Sequence, residues 1–429
     1  MRTSLDEIYS IFLINRLVST DSRHIEPGCL FFALKGDTFD GNTYADFALN
    51  VGAAYAVIDD ATYENQQTLL VDNVLQTLQQ LSQLHRRKFD IPVVAITGSN
   101  GKTTTKELVN AVLSQQFKVT ATKGNLNNHI GVPLTLLGIT AETQIAIIEM
   151  GANHQGEIET LCQIAEPTHG LITNIGRAHL GGFGGFEGVI KAKSELYCWL
   201  RKSGGKAFVN ADNSLLTELS SGIDSEYYGT LTDSGTRGVI GKNSETLEFD
   251  WIRKNDSIYV QTNLVGKYNF ENVLAAIAVG TFFKVSADTI KSAIQSYSPS
   301  NSRSQALKTA RNSIILDAYN ANPTSMQMAI ENFRHTIAAH KIAILGDMLE
   351  LGSESPEEHK AIVTLAEESG FDNCIFVGPD FYEVAHNRFP CFLNSELARE
   401  WLLLQNFTGC TILVKGSRGI KMENVVSAL

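Results

Sequence analysis

The stretch Ile91-Pro-Val-Val-Ala-Ile-Thr97-Gly98-Ser99-Asn100-Gly101-Lys102-Thr103-Thr104-Thr105-Lys106-Glu107 governs how the rest of the chain is read. An apolar run of strand length ends in a Gly-rich turn, and a helix-compatible run from Lys106 to Gln116 follows. Backbone N–H groups in such a turn, backed by the positive end of a helix, can cradle phosphate oxygens. Lys102 can reach the outer phosphates, and the Thr103 hydroxyl can help hold Mg²⁺. The match to G-x-x-x-x-G-K-[ST] is incomplete, because Ile96 stands where the first glycine belongs and the first glycine is Gly98. An ordinary turn between a buried strand and a helix is the plain alternative, so the phosphate reading needs support from elsewhere.

At 429 residues the chain exceeds one ordinary core, and two or three domains are expected. A hydrophobic fraction of 43% with 19% charged residues fits a globular protein. The net charge of −11, with no basic block, argues against nucleic acid or an anionic membrane as partner. An anionic substrate would have to be held by local Lys, Arg or helix ends. Six scattered cysteines without a C-x-x-C pair read as reduced thiols. No signal-peptide pattern opens the sequence and no apolar run reaches membrane-spanning length, so a soluble cytoplasmic protein without membrane insertion is expected.

Residues 1 to about 88 alternate strand-like runs (Cys29–Leu34, Ala54–Ile58) with helical stretches (Thr43–Val51, Val74–Lys88). The turn-rich segments Ser19–Arg23 and Lys35–Gly41 carry donors able to meet an anionic or sugar ligand, but on pattern alone plain surface loops are the better reading. A second unit, 89–298, carries the Gly-rich turn and strand candidates Lys118–Thr120, Gln144–Ile148, His169–Thr173 and Lys206–Asn210. Such alternation implies a mostly parallel sheet with covered faces. Thr246–Trp251 and Ser257–Thr262 read as antiparallel strands, and a helix from Asn269 to Thr281 closes the unit. Ser296–Ser302 reads as a linker. The third unit, 299–429, alternates again, with strands Ser313–Asp317, Lys341–Leu345, Asn373–Val377 and Thr411–Lys415; it reads as Rossmann-like, yet lacks G-x-G-x-x-G.

Candidate chemistry sits at strand ends, where ligands bind in open α/β sheets. Glu149 follows Ile145–Ile148, and an acid there suits a metal near P-loop phosphates; a solvated strand end is the alternative. His179 lies in the strand-end loop Thr173–His179. Gly124–Pro133 packs Asn125, Asn127, Asn128 and a His into a segment able to bond a polar ligand or to form a long turn. In the third unit Asp317–Pro323, Gly346–Gly352 and Lys415–Gly419 follow three strands and fall on one edge of the sheet.

Taken together and in this order, these segments resemble the Mur ligase family, the ATP-dependent amide-forming enzymes of peptidoglycan precursor synthesis. The resemblance runs from about Ser19 to the C-terminus, and the family's short P-loop accounts for Ile96. It implies three α/β domains: a small UDP-sugar domain (1–88), a central P-loop ATPase domain (89–298) and a C-terminal Rossmann-like domain (299–429). Segments such as Asn125–Asn128, Glu149–Ala152 and Asp317–Asn322 favour the dipeptide-adding branch, with UDP-N-acetylmuramoyl-tripeptide and D-Ala-D-Ala as substrates. The resemblance further implies ATP contacts at Thr97, Gly98, Ser99, Asn100, Gly101, Lys102, Thr103, Thr104, Asn269, Asn272, Arg303 and Asp317. Ser22, Arg23, Lys35, Gly36, Asn125, Asn127, Asn128, Tyr319, Asn320, Asn322, Lys415, Ser417 and Arg418 are implied for the other substrates. Lys193, fourteen residues after His179 in Ala192-Lys193-Ser-Glu-Leu196, matches a family lysine that becomes N-carboxylated; Lys191 does not. Two Mg²⁺ ions would be served by Thr103, Glu149, His179 and carboxylated Lys193, with Lys102, His179 and Lys193 catalytic. Tyr268 departs from the family's usual His. A monomer is expected. A folate polyglutamylase or other ligase on the same scaffold, or a P-loop nucleotide switch, are the alternatives.

Overall fold

β-Branched residues bounded by turn formers make the strands of this chain, as Val93–Thr97 between Pro92 and Gly98 illustrates. In a computed structural model the described residues are 2–178, 180–231, 235–241, 246–253, 256–299 and 302–429. The chain divides into two compact units: Met1–Ile96 with Phe117–Ala152 and Gly156–Gly170, and Thr97–Gln116 with Asn153–Gln155 and Leu171–Leu429.

In the first unit four short strands form a parallel sheet in the order Val18–Ser19, Leu30–Phe32, Tyr55–Ile58, Thr68–Leu70. Leu30, Phe32 and Val57 meet Ile8 and Phe12 of the helix Leu5–Asn15 and Leu78 and Leu81 of the helix Val74–Arg86 in one core. Cys29, Phe31 and Ala56 pack into a second core with Ala45 and Ala48, the period of two expected of a sheet covered on both faces. A further parallel set places Ile145–Glu149 between Val119–Ala121 and Val93–Thr97. Arg86 is buried, and its Nε donates to the Ala165 carbonyl at 3.1 Å. Helix Val74–Arg86 is thereby fixed to the end of the helix Glu157–Ala165.

In the second unit Lys206–Asn210, Asp224–Gly229 and Thr236–Ile240 run parallel. An antiparallel hairpin, Glu248–Arg253 with Asp256–Gln261, continues from the last of them. The expected antiparallel pair is present; the two strands before it were not legible, because Asp224–Gly229 is half polar. The C-terminal sheet has the order Gln305–Lys308, Ser313–Asp317, Thr411–Lys415, Lys341–Gly346, Asn373–Val377, Cys391–Phe392. All its pairs are parallel except the first. Ala343, Leu345, Phe376 and Leu413 face Met326, Ile330 and Phe333 on one side. Ile342, Ile344, Ile412 and Val414 face Ala398 and Leu402 on the other. Asp317 lies in register with Lys415, and Lys415 with Leu345, so the three polar strand ends are immediate neighbours.

Most expected boundaries shift by one or two residues, and one shifts by a full turn. The helix after the Gly-rich turn spans Lys102–Leu113, so it begins four residues earlier than the sequence suggests. Gly101, at φ 79°, takes the left-handed turn at its N-cap, and the three threonines continue directly as helix. No helix of the described residues is long and apolar enough to cross a membrane.

Candidate active site

The Gly-rich turn is held open by its neighbours. Gly98 sits at φ 142°, and a Cβ there would stand 2.0 Å from Thr173 Oγ1; a Cβ on Gly101 would stand 2.5 Å from Asn272 Oδ1. Neither position accepts a side chain, by conformation or by space. The strand-end loop after His169–Ile172 braces the turn throughout. Thr173 Oγ1 donates to the Asn100 carbonyl at 2.5 Å, and the Ser99 N–H donates to the Asn174 carbonyl at 2.9 Å. The Asn100 N–H donates to Asn174 Oδ1 at 3.0 Å, and Ser99 Oγ exchanges bonds with the Gly176 backbone at 3.0 and 2.9 Å. Lys102 Nζ lies over the loop, donating to the carbonyls of Gly98 at 2.7 Å and Ser99 at 3.2 Å. Thr97, Ser99, Thr103 and Thr104 are buried.

This cradle fits a phosphate. The two glycines let Thr173 and Asn272 close against the back of the loop, which leads straight into a helix N-terminus, a favourable place for an anion. In addition, the buried Asn100 Nδ2 has no hydrogen-bond partner among the described residues, and a buried donor of that kind favours an acceptor oxygen. Asn269 and Asn272 stand behind the loop. Asn272 accepts from Thr105 Oγ1 at 3.0 Å and donates to Asn269 Oδ1 at 3.0 Å, and Asn269 Nδ2 donates to the Val265 carbonyl at 2.8 Å. Tyr268 O–H pairs with Ser304 Oγ at 2.9 Å, and burial together with nearby Asp317 raises its phenol above the ordinary range.

The C-terminal strand ends gather the expected residues in the same unit. Lys415 Nζ, buried, lies 2.6 Å from Asp317 Oδ2, and Asp317 Oδ1 accepts the Ser304 N–H at 3.2 Å. The Arg303 guanidinium stacks 3.7 Å over the Tyr319 ring, and Arg418 lies 5.2 Å from the same ring. Ser417, buried, links all three polar loops: its Oγ accepts the Leu349 N–H at 3.0 Å and donates to the Ala321 carbonyl at 3.3 Å, and its N–H donates to the Asp347 carbonyl at 3.0 Å. Asn320 is exposed. Asn322 caps the helix Pro323–His335 and donates from Nδ2 to Asn100 Oδ1 at 2.8 Å, joining this cluster to the phosphate cradle.

Lys193 is buried in the helix Phe186–Ser203, with Nζ 5.1 Å from the Phe183 ring centre, whereas Lys191 is exposed. His179 lies outside the described residues. In the first unit Glu149 is buried at the end of its strand; its Oε1 accepts from Asn127 Nδ2 at 2.7 Å, and the Glu149 N–H donates to Thr122 Oγ1 at 2.9 Å. Asn128 Oδ1 accepts the N–H groups of Ile130 and Gly131, which starts the helix Gly131–Leu137. Asn125 is exposed. Ser22 lies in the Asp21 turn, where Arg23 forks onto Asp21 at 2.9 and 2.7 Å. Lys35 Nζ lies 3.0 Å from Asp59, beside the tight Gly36–Phe39 turn. Burial pushes the Asp59 carboxyl up, but bonds from Asn42 and Lys35 outweigh it and leave it below the usual range. Asp59 escaped the sequence reading, and Thr173 entered it only as the start of the His179 loop; a polar residue closing an apolar run was the only signal for either role.

A cluster of Asp347, His359 and Asp380 has metal-ligand composition, but both nitrogens of His359 and both oxygens of Asp347 are already engaged with the protein. His359 Nε2 accepts the Met348 N–H at 3.0 Å, and its Nδ1 pairs with the Ser355 carbonyl at 2.8 Å. Both Asp347 oxygens accept N–H groups at the start of the helix Pro379–Ala385, from Asp380 at 2.9 Å and Phe381 at 2.8 Å. Burial raises the Asp347 carboxyl. The cluster holds the Gly346–Gly352 loop in place.

Comparison with known proteins agrees with this geometry. Family models described as Mur ligase family, catalytic domain; Mur ligase middle domain; and Mur ligase, glutamate ligase domain match residues 16–88, 96–280 and 302–418. The chain is 36% identical over 422 residues to the UDP-N-acetylmuramoyl-tripeptide–D-alanyl-D-alanine ligase of Escherichia coli, covering 96% of this chain and 93% of that one. It is 35% identical over 427 residues to the enzyme of that name from Bacillus subtilis, covering 96% and 92%. A crystal structure of MurF from Acinetobacter baumannii superposes with a TM-score of 0.87 at 32% identity, covering 96% and 92%. The three-domain α/β architecture is thus that of these relatives, and dependence on ATP and Mg²⁺ is typical of Mur ligases. The chain belongs to the Mur ligase family of ATP-dependent ligases.

Proposed function

We propose that this ligase joins D-Ala-D-Ala to the terminal carboxylate of UDP-N-acetylmuramoyl-tripeptide, giving ADP, phosphate and the pentapeptide. The observation that supports the reading is the Asn100–Asn322 bond, which joins the Gly-rich turn to a strand-end cluster rich in cations. Relatives of that name spanning nearly the whole chain support the choice of substrates. The domain boundaries fall near 88 and 298, and the enzyme acts as a cytoplasmic monomer.

A carboxylate is a poor acyl donor. The γ-phosphate of ATP is therefore transferred to a carboxylate oxygen: that O–P bond forms, the bond to the β-phosphate oxygen breaks, and ADP leaves. Lys102, released from the Gly98 and Ser99 carbonyls, neutralises charge on the transferring group, and the N–H groups at the start of the helix Lys102–Leu113 hold the phosphates. The dipeptide amine then attacks the acyl carbon, the C–O bond to phosphate breaks, and the amine's proton leaves with the departing phosphate. Arg303 and Arg418, preorganised on Tyr319, suit anionic groups of ATP or dipeptide, while Lys415 holds the Asp317 carboxylate in place. Thr103, Glu149, His179 and carboxylated Lys193 would hold two Mg²⁺ ions, which offset charge between phosphates and carboxylate. The burial of Lys193 beside exposed Lys191 supports that choice of lysine, and Lys193→Ala is expected to abolish turnover while Lys191→Ala stays mild. The Ser22–Arg23 and Lys35–Gly36 turns, with Asn125, Asn127 and Asn128, are assigned to the UDP-sugar substrate.

The test is an acceptor panel. UDP-tripeptide and ATP are offered with D-Ala-D-Ala, L-Glu or diaminopimelate, and products are weighed by mass spectrometry. A pentapeptide product formed with D-Ala-D-Ala alone is expected. An amide to another acceptor would assign the chain to a different ligase on this scaffold, and ATP hydrolysis without amide to a nucleotide switch.

A further inference from the structure

The strand-end loop that braces the phosphate cradle is gripped on its far side as well. Arg177 follows the bracing residues Thr173, Asn174 and Gly176, and its backbone N–H donates to Thr324 Oγ1 at 3.0 Å, at the start of the helix Pro323–His335. Its guanidinium spans two acids at the start of the helix Ser355–Glu368. Nη2 reaches Glu354 Oε2 at 2.8 Å and Glu358 Oε1 at 2.8 Å, and Nε reaches Glu358 Oε1 at 3.0 Å. The loop belongs to the segment matched as the middle domain; Thr324, Glu354 and Glu358 belong to the segment matched as the C-terminal one.

A lone exposed ion pair contributes little to stability, and half-exposed Arg177 belongs to neither of the two cores of the C-terminal sheet. One planar fork shared by two carboxylates is a stronger and more directional contact, and Glu358 is only 16% exposed. The grip therefore adds little to either fold and much to the register between the phosphate loop and the C-terminal strand ends. That register matters because an acyl phosphate awaiting its amine is open to water, whose attack returns carboxylate and phosphate and wastes one ATP.

We propose that Arg177 is a positioning residue: by clasping Glu354 and Glu358 it keeps the C-terminal strand ends seated on the phosphate loop, so that the amine rather than water meets the activated carboxylate. This rests on the ligase reading above. The clasp acts chiefly on coupling and on the acceptor, because it touches none of the residues assigned to the nucleotide.

The test measures ADP released per amide formed in the full-length enzyme, with UDP-tripeptide saturating and D-Ala-D-Ala varied. In Arg177→Ala, KM for the dipeptide is expected to rise about five- to tenfold, ADP per amide to exceed that of the wild type, and ATP affinity to change less than twofold, with Tm within about 3 °C. Glu354→Lys combined with Glu358→Lys should uncouple in the same way, and adding Arg177→Glu to that pair should restore coupling. Wild-type coupling and dipeptide KM in Arg177→Ala, or failure of the charge swap to restore them, would overturn the proposal. A wild-type enzyme forming no amide would instead sink the ligase reading, and this proposal with it.

Discussion

The phosphate loop and the C-terminal strand ends lie in one unit and handle charge in opposite ways. The loop uses backbone: two glycines whose Cβ positions are already occupied, N–H groups tied to Asn174, a carbonyl braced by the Thr173 hydroxyl, and one lysine resting on carbonyls. The strand ends use side chains that compensate one another, with Lys415 on Asp317 and two arginines on one tyrosine. A cradle of backbone dipoles is stiff and indifferent to what its phosphate is attached to. A cluster of charged side chains can discriminate among acceptors, but it has to be supported by neighbours such as Ser417. The first suits the step common to such ligases, and the second suits the step that distinguishes them.

The largest effect expected from breaking this contrast is on the loop. Gly98→Ala places a methyl where Thr173 Oγ1 already lies and imposes a left-handed conformation on alanine. ATP binding, measured by calorimetry, should fall at least about a hundredfold, the equivalent of 1–3 kcal/mol of backbone strain plus the displaced brace. Near-native ATP affinity in this variant would show that the loop has slack. At the strand ends the charge pair is the vulnerable element. Lys415→Met leaves Asp317 without its cation and should cost about 3–5 kcal/mol in urea unfolding, most of which Asp317→Leu in the same chain should recover. If the double variant is as unstable as the single one, the pair is not what Lys415 contributes. Ser417→Ala removes the acceptor of the Leu349 N–H and should cost about 1 kcal/mol, with a raised dipeptide KM and an unchanged ATP affinity. A change in ATP affinity instead would erase the division of labour.

The smallest effect lies outside both regions and serves as their control. His85 is buried in the first unit between Tyr9 O–H at 3.2 Å and the Ile139 carbonyl at 2.8 Å. Burial lowers its pKa below the ordinary histidine value, so the folded state binds a proton less readily than the unfolded one. Stability should therefore be full above about pH 6.5 and fall as pH drops through that value, where the unfolded chain protonates first. Thermal scans from pH 7.5 to 5 should show a decline that is smaller in His85→Gln, without any change in the ADP-to-amide ratio at pH 7.5.

Much of the loop was legible in the sequence because its determinants are contiguous. Pro92, the apolar strand, Gly98, Gly101 and Lys102 fall within eleven residues. Strands Ser313–Asp317, Asn373–Val377 and Thr411–Lys415 were likewise readable to the residue, since each is a short apolar run between turn formers. The charge pair was not readable. Asp317 and Lys415 are 98 positions apart and meet only because the strand order sets their strands side by side. Arg177 gave the same difficulty: a basic residue in a strand-end loop is visible, but its partners at 354 and 358 depend on the fold. The roles of Ser417, Asn269 and Asn272 also needed the structure, which shows their side chains engaged with protein partners while their sequence context suggests only polar ligands.

The central claim is that the loop delivers a phosphoryl group to the substrate's own carboxylate before the amine arrives. Labelling that carboxylate with ¹⁸O and analysing the released phosphate by mass spectrometry tests it directly. Transfer through an acyl phosphate puts one ¹⁸O into each phosphate formed with the amide. Unlabelled phosphate, released while amide accumulates, would contradict the account.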